Sequence, residues 1–397
     1  MAKRNFITYF KELLLQFLTE ADPLLSMLKW LTQQLMEMEA ELKVGVEKGK
    51  HSALRNTYFS GHRVRRFDTR LGTVYLLVPK LRKGGYIPFF VIERKRSEQA
   101  LIQVVQEAFI NGVSTRKIER LAKSLGIENL SASQVSEINK GLDEQVQAFR
   151  SRRLESEYPI LWADGLYEKV RTNGRVQSMA VLVVSGVSRS GLREILAVEP
   201  MYNESEETYT VLFNSLKARG LEKVWLVVSD AHLGLQAAAR KCFLGASWQR
   251  CKVHFMRNVM ARVSHRDKGE FAAKLKQIWL QPDKKGAMKQ ARLFISEYKE
   301  KYPEAIEVLR AGLEDSLQFY GFEDFDPRKI ASTNMLDRLH REIRRRSRVV
   351  GIFPSVDSYV RLLTSYLIEY SEDWSTSRSY IKPEKIELCE SKLKEAA

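Results

Sequence analysis

From residue 158 onward the apolar residues stop recurring at helical spacing and gather into short β-type runs that each end on a polar residue. No other feature constrains the fold of this chain as tightly. Pro159–Ala163 leads to Asp164, and Ser178–Val184 and Arg193–Val198 follow as two further strand candidates. A helical stretch runs from Glu206 to Arg219, and Lys223–Val228 is a fourth strand ending at Ser229-Asp230. Three strands, a helix and another strand predict an α/β sheet covered by helices. Several α/β folds share that order, so it does not select one of them.

On either side of this region the pattern is mostly helical. In residues 5–48, Leu13, Leu14, Phe17 and Leu18 recur at helical spacing, and Leu28, Leu31, Leu35 and Met38 do so after a break at Asp22-Pro23. This terminal pair (1–60) reads as a packing or self-association element. Residues 61–96 carry ten Lys/Arg against two Asp/Glu, with Thr73–Val78 as a strand candidate. They predict a small basic β-rich module whose Arg65 and Arg66 would meet a DNA backbone. In residues 97–150, Ser114–Gly126 and Ser131–Ile138 form two short capped helices around a glycine turn. That is the helix-turn-helix pattern, with Arg116, Lys117, Ser133 and Gln134 as DNA-reading candidates. Residues 265–325 read as an all-α insertion between two parts of the sheet domain, 155–264 and 326–380; the tail after Pro383 reads as loosely ordered.

Charge narrows the partners. The 397 residues hold 65 Lys+Arg and 49 Asp+Glu, a net charge of +16, which favours polyanions. Three cysteines in a chain this long make no disulfide framework and fit a reducing cytoplasm. No apolar run reaches the length of a membrane span, and Lys11-Glu12 interrupts the only stretch that could open a signal peptide.

Asp164 and Asp230 both stand at or near the end of an apolar strand candidate. Either alone would serve as a turn cap. Together on one sheet they suit Mg²⁺, a cation bound by carboxylate oxygens, and phosphodiester chemistry uses two such ions about 4 Å apart. A third carboxylate must come from elsewhere, and Ser332–Arg348 offers Asp337 and Glu342. Five positions turn a helix by about 500°, so the two point about 140° apart and cannot share a site. Leu336, Leu339 and Ile343 mark the core face. Asp337 is one step from it; Glu342 sits among arginines and should pair with them. Six arginines lie between 338 and 348. Among them Arg338, Arg341, Arg344, Arg345 and Arg348 are candidates to hold phosphates in bidentate fashion.

The run Thr333–Pro354 resembles the C-terminal signature of the Mutator-type bacterial insertion-sequence transposases. So do Ala163-Asp164-Gly165, Val228–Gly234, Gln249–His254, Phe67–Gly72 and Val104–Ser114, in the right order over roughly 60–380. The resemblance implies an RNase H-like catalytic core with a helical insertion, a three-carboxylate site and Mg²⁺-dependent transposition, Mn²⁺ being a substitute. It places the triad on Asp164, Asp230 and Asp337. At the third position the family normally has Glu, and the shorter Asp would set its carboxylate about 1.5 Å back. In the implied chemistry, water hydrolyses the phosphodiester at the element end and the freed 3′-hydroxyl attacks a second one in line. The implied partners are double-stranded DNA, both element ends and target, with a homodimer to hold two ends. Cys251 and His254 fall in the family's Cys-x-x-His signature. A zinc site would need four ligands; otherwise Cys251 and His254, like His232, are candidate active-site neighbours, either histidine being equally suited to a structural role. The alternative is a transposase-derived DNA-binding protein that has lost catalysis, and a second rival is a nuclease that cuts without joining.

Overall fold

The computed structural model describes residues 12, 14–50, 55–69, 72–83, 85–124, 127, 130–154 and 156–396. They fall into two compact units, one within residues 1–104 and 121–129, the other within 105–120 and 130–397. The expectations for residues 5–11, for Leu13 and for the helix end at Gly126 lie outside the described residues.

In the first unit, α1 (Pro23–Val44) starts at Asp22, whose carboxylate accepts from the Leu25 N–H, with Pro23 in the first turn, and stops at Gly45. Its buried face, centred on Met36, packs on Val74, Leu76 and Val78 of an antiparallel hairpin, β1 (Phe59–Thr69) and β2 (Gly72–Leu81). The β-rich expectation for 61–96 needs correcting at both ends. The sequence reading missed β1, and residues 89–96 already belong to α2 (Phe89–Ile110). Arg63, Arg65 and Arg66 break β1's apolar alternation, because most of that strand is exposed.

Next come α3 (Thr115–Ser124), α4 (Ala132–Lys140) and α5 (Asp143–Ser151). Ser131 caps α4 through a reciprocal capping box with Gln134.

The second unit is built on a five-stranded sheet with order β5-β4-β3-β6-β7: β3 (Ile160–Thr172), β4 (Arg175–Val187), β5 (Arg193–Met201), β6 (Leu226–Ser229) and β7 (Ser247–Arg250). β3, β4 and β5 form an antiparallel meander, while β6 and β7 run parallel to β3. Two helices, α6 (Glu206–Ala218) and α7 (Leu233–Cys242), cover one face with Leu161, Ala163 and Val227; the other face packs Ile160, Trp162 and Leu166 against the C-terminal helices. Both faces of β3 are therefore apolar where it crosses the middle of the sheet.

The sequence reading ended this strand at Ala163; it runs on to Thr172. The extension is polar because its far end is half solvated, and Asn173-Gly174, both at positive φ, turns it into β4. Asp164 is therefore a mid-strand residue.

From Lys252 on, all the elements are helical. α8 (Lys252–Met260), α9 (Lys268–Lys276), α10 (Lys284–Tyr298), α11 (Pro303–Gly312) and α12 (Pro327–Ile330) contribute Phe255, Phe271, Phe294 and Leu309 to the same core as Trp162 and Val183. Gln249 on the edge strand β7 is fully buried; it donates to Ser316 O and accepts from Phe319 N–H, closing that sheet edge. The chain finishes with α13 (Asn334–Val350), α14 (Val356–Thr376) and α15 (Pro383–Ala396).

The tail is thus a docked helix, contrary to expectation. Ile386 and Cys389 are buried, Glu390 pairs with Arg189, and the Tyr380 N–H donates to Gly191 O at 2.7 Å. Gly191 has φ +77°, and a Cβ there would meet Ile381 O at 1.8 Å. Gly191→Ala should destabilise by more than about 1 kcal/mol, seen as a lower midpoint in thermal denaturation followed by circular dichroism.

Candidate active site

The register of the parallel pair fixes the first two carboxylates. Ala163 of β3 is level with Ser229 of β6, so the next residues, Asp164 and Asp230, are neighbours across adjacent strands where β6 ends. Asp164 is 8% exposed and points toward the C-terminal helices; Asp230 is half-exposed.

The third carboxylate is carried by α13, which is pinned at both ends. At its start, Thr333 donates to Cys251 Sγ through its N–H (3.3 Å) and its hydroxyl (3.4 Å), and the Lys252 N–H donates to Ala331 O. Past its end, Phe353 forms a bridge onto β3, with Phe353 N–H to Lys169 O and Arg171 N–H to Phe353 O, both 2.9 Å. Leu336, Leu339 and Ile343 are buried beneath the helix. This docking turns Asp337, in the first turn, into the same cleft as Asp164 and Asp230. Glu342 instead pairs with Arg345 and Arg346, each at 3.2 Å, and does not line the cleft.

Two imidazoles are threaded between the carboxylates. His254 Nδ1 lies 2.6 Å from Asp230 Oδ1, and its Nε2 lies 4.0 Å from Asp337 Oδ1. Asp230 first, then the Cys251 thiol, pushes the His254 imidazole up to about 10. His340 is 2% exposed, with Nδ1 3.2 Å from Asp164 Oδ2 and no hydrogen-bond partner at Nε2. The Asp337 carboxyl is raised above its ordinary value, first by burial and then by the charge of Asp164, against the lowering influence of both histidines.

The cleft has a volume of about 960 Å³. Arg338, Arg341 and Arg344, spaced three apart on α13, line one side. Arg345 and Arg348 are exposed but do not line it, and Arg346 lies over the Tyr366 ring at 4.0 Å. His232 lines the opposite side, edge-on to Tyr209 at 5.3 Å. Arg116, Lys117 and Ser133 are exposed on α3 and α4 and do not line the cleft; in the first unit, Arg65 and Arg66 are exposed on β1. Gln134 spends its side-chain oxygen on the cap of α4, which accounts for its presence without DNA.

Several cleft residues escaped the sequence reading. His340 had a usable signal, since it is three positions after Asp337 and so on the same helix face. Tyr167, Tyr209 and Glu204 had none: Glu204 comes from the turn after β5, and both tyrosine hydroxyls donate to it, at 2.8 and 3.1 Å. The fully buried Cys251 is an anchor for α13. It, Asp230 and His254 present ligand atoms within 4.8 Å of one another, and among the described residues no fourth ligand completes a structural zinc site. No described helix is long and apolar enough to cross a membrane.

Residues 1–377 match the family described as "Transposase, Mutator family". The chain is 40% identical over 375 residues to the transposase for insertion sequence element IS1081 of Mycobacterium tuberculosis, covering 94% of this chain and 90% of that protein. It is 36% identical over 364 residues to the transposase for element ISRM5 of Rhizobium meliloti, covering 92% of each. It is 35% identical over 376 residues to the transposase for element IS256 in transposon Tn4001 of Staphylococcus aureus, covering 94% and 96%. This chain belongs to the Mutator family of transposases.

Proposed function

We propose that the chain binds the ends of an insertion sequence and catalyses Mg²⁺-dependent cleavage and strand transfer with Asp164, Asp230 and Asp337. The observation that carries this reading is the convergence of the three carboxylates on one arginine-walled cleft. The sheet supports an RNase H-like core: a three-stranded antiparallel meander extended by two strands parallel to its first member. In this reading residues 265–325 are the insertion, and the helix pair around 114–138 with the basic hairpin contacts element-end DNA.

The donor set fits a hard divalent cation. The three carboxylates supply oxygen ligands, and the Asp337 carboxyl is raised first by burial and then by the charge of Asp164, a penalty that a bound cation would relieve. Mg²⁺, or Mn²⁺ in its place, would supply positive charge to the attacking and leaving oxygens. The remaining work falls to the chain. Asp164 and Asp230 are held at fixed separation by strand register, His340 and His254 orient their carboxylates, and Arg338, Arg341 and Arg344 grip phosphates along α13.

The test is incubation with Mg²⁺ and a plasmid bearing the inverted repeats that flank this gene. Cleaved and joined products support the proposal. Cleavage alone leaves a nuclease, and binding alone leaves an inactive transposase-derived protein. Binding should also weaken steeply with salt, since each neutralised phosphate contributes about −0.9 to the log–log slope. A protein gripping about six phosphates loses about a thousandfold between about 50 and 200 mM salt. A flat response would show that these arginines are not used on DNA.

A further inference from the structure

The end of the sheet that holds Asp164 and Asp230 also carries a cation. Arg250 of β7 is level with Ser229 of β6, so it stands one strand beyond Asp230, on the side away from Asp164. Its guanidinium lies over the Phe255 ring at 4.1 Å. A Cβ on Gly312 of α11 would come within 1.9 Å of its Nη1, so the glycine makes room for the head group. Among the described residues no hydrogen bond or ion pair engages this side chain, and its buried Nε is without a partner. The carboxylate whose charge it feels most, Asp315, is held instead by Arg240 at 3.6 Å and Gln236 at 3.4 Å. Arg361 and Arg219, also removed from solvent, give their donors to Asp143 and to two backbone carbonyls. A partly buried guanidinium with unused donors is costly, and an apolar side chain would pack on Phe255 without that penalty.

Arg250 lines a cavity of about 440 Å³ together with Asn258, Ala261, Arg262 and Val308. Asn258 also lines the carboxylate cleft, so α8 joins the two spaces. Arg262 meets Glu304 at 3.4 Å, but both are exposed and such a pair is weak. We propose that this cavity is a second phosphate site, separate from the carboxylate cleft, in which Arg250 holds a backbone phosphate of the DNA strand being cut. Two guanidinium groups and an amide offer N–H donors, which suit phosphate oxygens. His254 touches Asp230 at 2.6 Å, and Asn258 follows one turn later, about 6 Å along α8. At about 3.4 Å of rise per nucleotide, the held phosphate lies within about three nucleotides of the proposed cutting point. The ligand rests on the proposed reading of the cleft as a DNA-cutting site; the pocket itself needs no metal.

The test is binding without Mg²⁺ to element-end duplexes in which one phosphate at a time is replaced by a neutral methylphosphonate. For the parent, one replacement within about three nucleotides of the cutting point should lower affinity about ten- to a hundredfold, the range of a hydrogen bond to a charged group. Arg250→Gln should lose the same factor on unmodified DNA and become indifferent to that replacement. Its log–log salt slope should shrink by about 0.9. Arg250→Lys keeps the charge but not the fork, so its sensitivity to that replacement should fall by at least about threefold; it carries the test if Arg250→Gln does not fold. No sensitive position in that window, or variants as sensitive as the parent at every position, overturns the assignment. Inorganic phosphate alone that binds the parent and not Arg250→Gln, with no interference on DNA, makes the pocket one for a free anion and also overturns it. Interference at the predicted position without cleavage on adding Mg²⁺ would instead sink the cleavage reading and leave the pocket standing.

Discussion

Asp164→Asn and Asp230→Asn should each lose strand cleavage by well over about a hundredfold, while DNA affinity stays within about twofold of the parent. A group that merely supports a metal ligand costs about 10- to 100-fold when removed, and a ligand itself must cost more. Each substitution removes a charge at almost constant shape. Asp164 is buried beside His340, and Asp230 is in contact with His254, so neither carboxylate is one of the arginines expected to grip phosphate. The assay pairs cleavage at millimolar Mg²⁺ with a binding isotherm at one fixed salt concentration. Full cleavage by either variant would remove that residue from the proposed site.

The second large effect is expected at Asp337. Asp337→Ala should abolish both cleavage and joining, whereas Glu342→Ala should weaken DNA binding by less than about tenfold, the scale of one exposed ion-pair network at about 1 kcal/mol. The structure supplies the reason: Asp337 faces the other carboxylates, and Glu342 faces Arg345 and Arg346. Asp337→Glu reports on fit. Because α13 is fastened at Thr333 and Phe353, the helix cannot retreat to make room for a longer side chain. Slower single-turnover cleavage is therefore expected, by roughly tenfold for about 1.4 kcal/mol of misplacement. Faster cleavage would mean instead that Asp is a handicapped ligand. A fully active Asp337→Ala would remove the residue from the site.

Much of this arrangement was legible before any coordinates. The apolar runs at 159–163, 178–184 and 193–198 located three strands because each is buried by the sheet's own neighbours and needs little help from distant sequence. Helix periodicity alone separated Asp337 from Glu342. What stayed hidden depends on contacts far apart in the chain. The polar half of β3 carries no burial signal, although Asn173-Gly174 advertised its hairpin. Cys251 read as an active-site neighbour because nothing local reveals that Thr333 sits on its sulfur. Glu204 is a turn residue whose tyrosine partners lie on β3 and α6. The tail looked polar, yet Gly191 provides its dock.

The two fastenings of α13 also set the order in which the protein can assemble. Thr333 meets Cys251 across a separation of 82 residues, and Phe353 meets Lys169 across a separation of more than twice that. Closing a loop of the second length costs about 2.5 kcal/mol more in chain entropy than closing one of ten residues. The β3–β4–β5 meander, whose strands are joined by short turns, incurs little of that cost and can form while the rest is still unfolded. Asp164 is then in place on a preformed sheet edge well before Asp337 arrives. The cleft is completed only when β6 has paired with β3 and α13 has docked, so a chain with the meander alone folded holds Asp164 in place without the other two carboxylates of the proposed site.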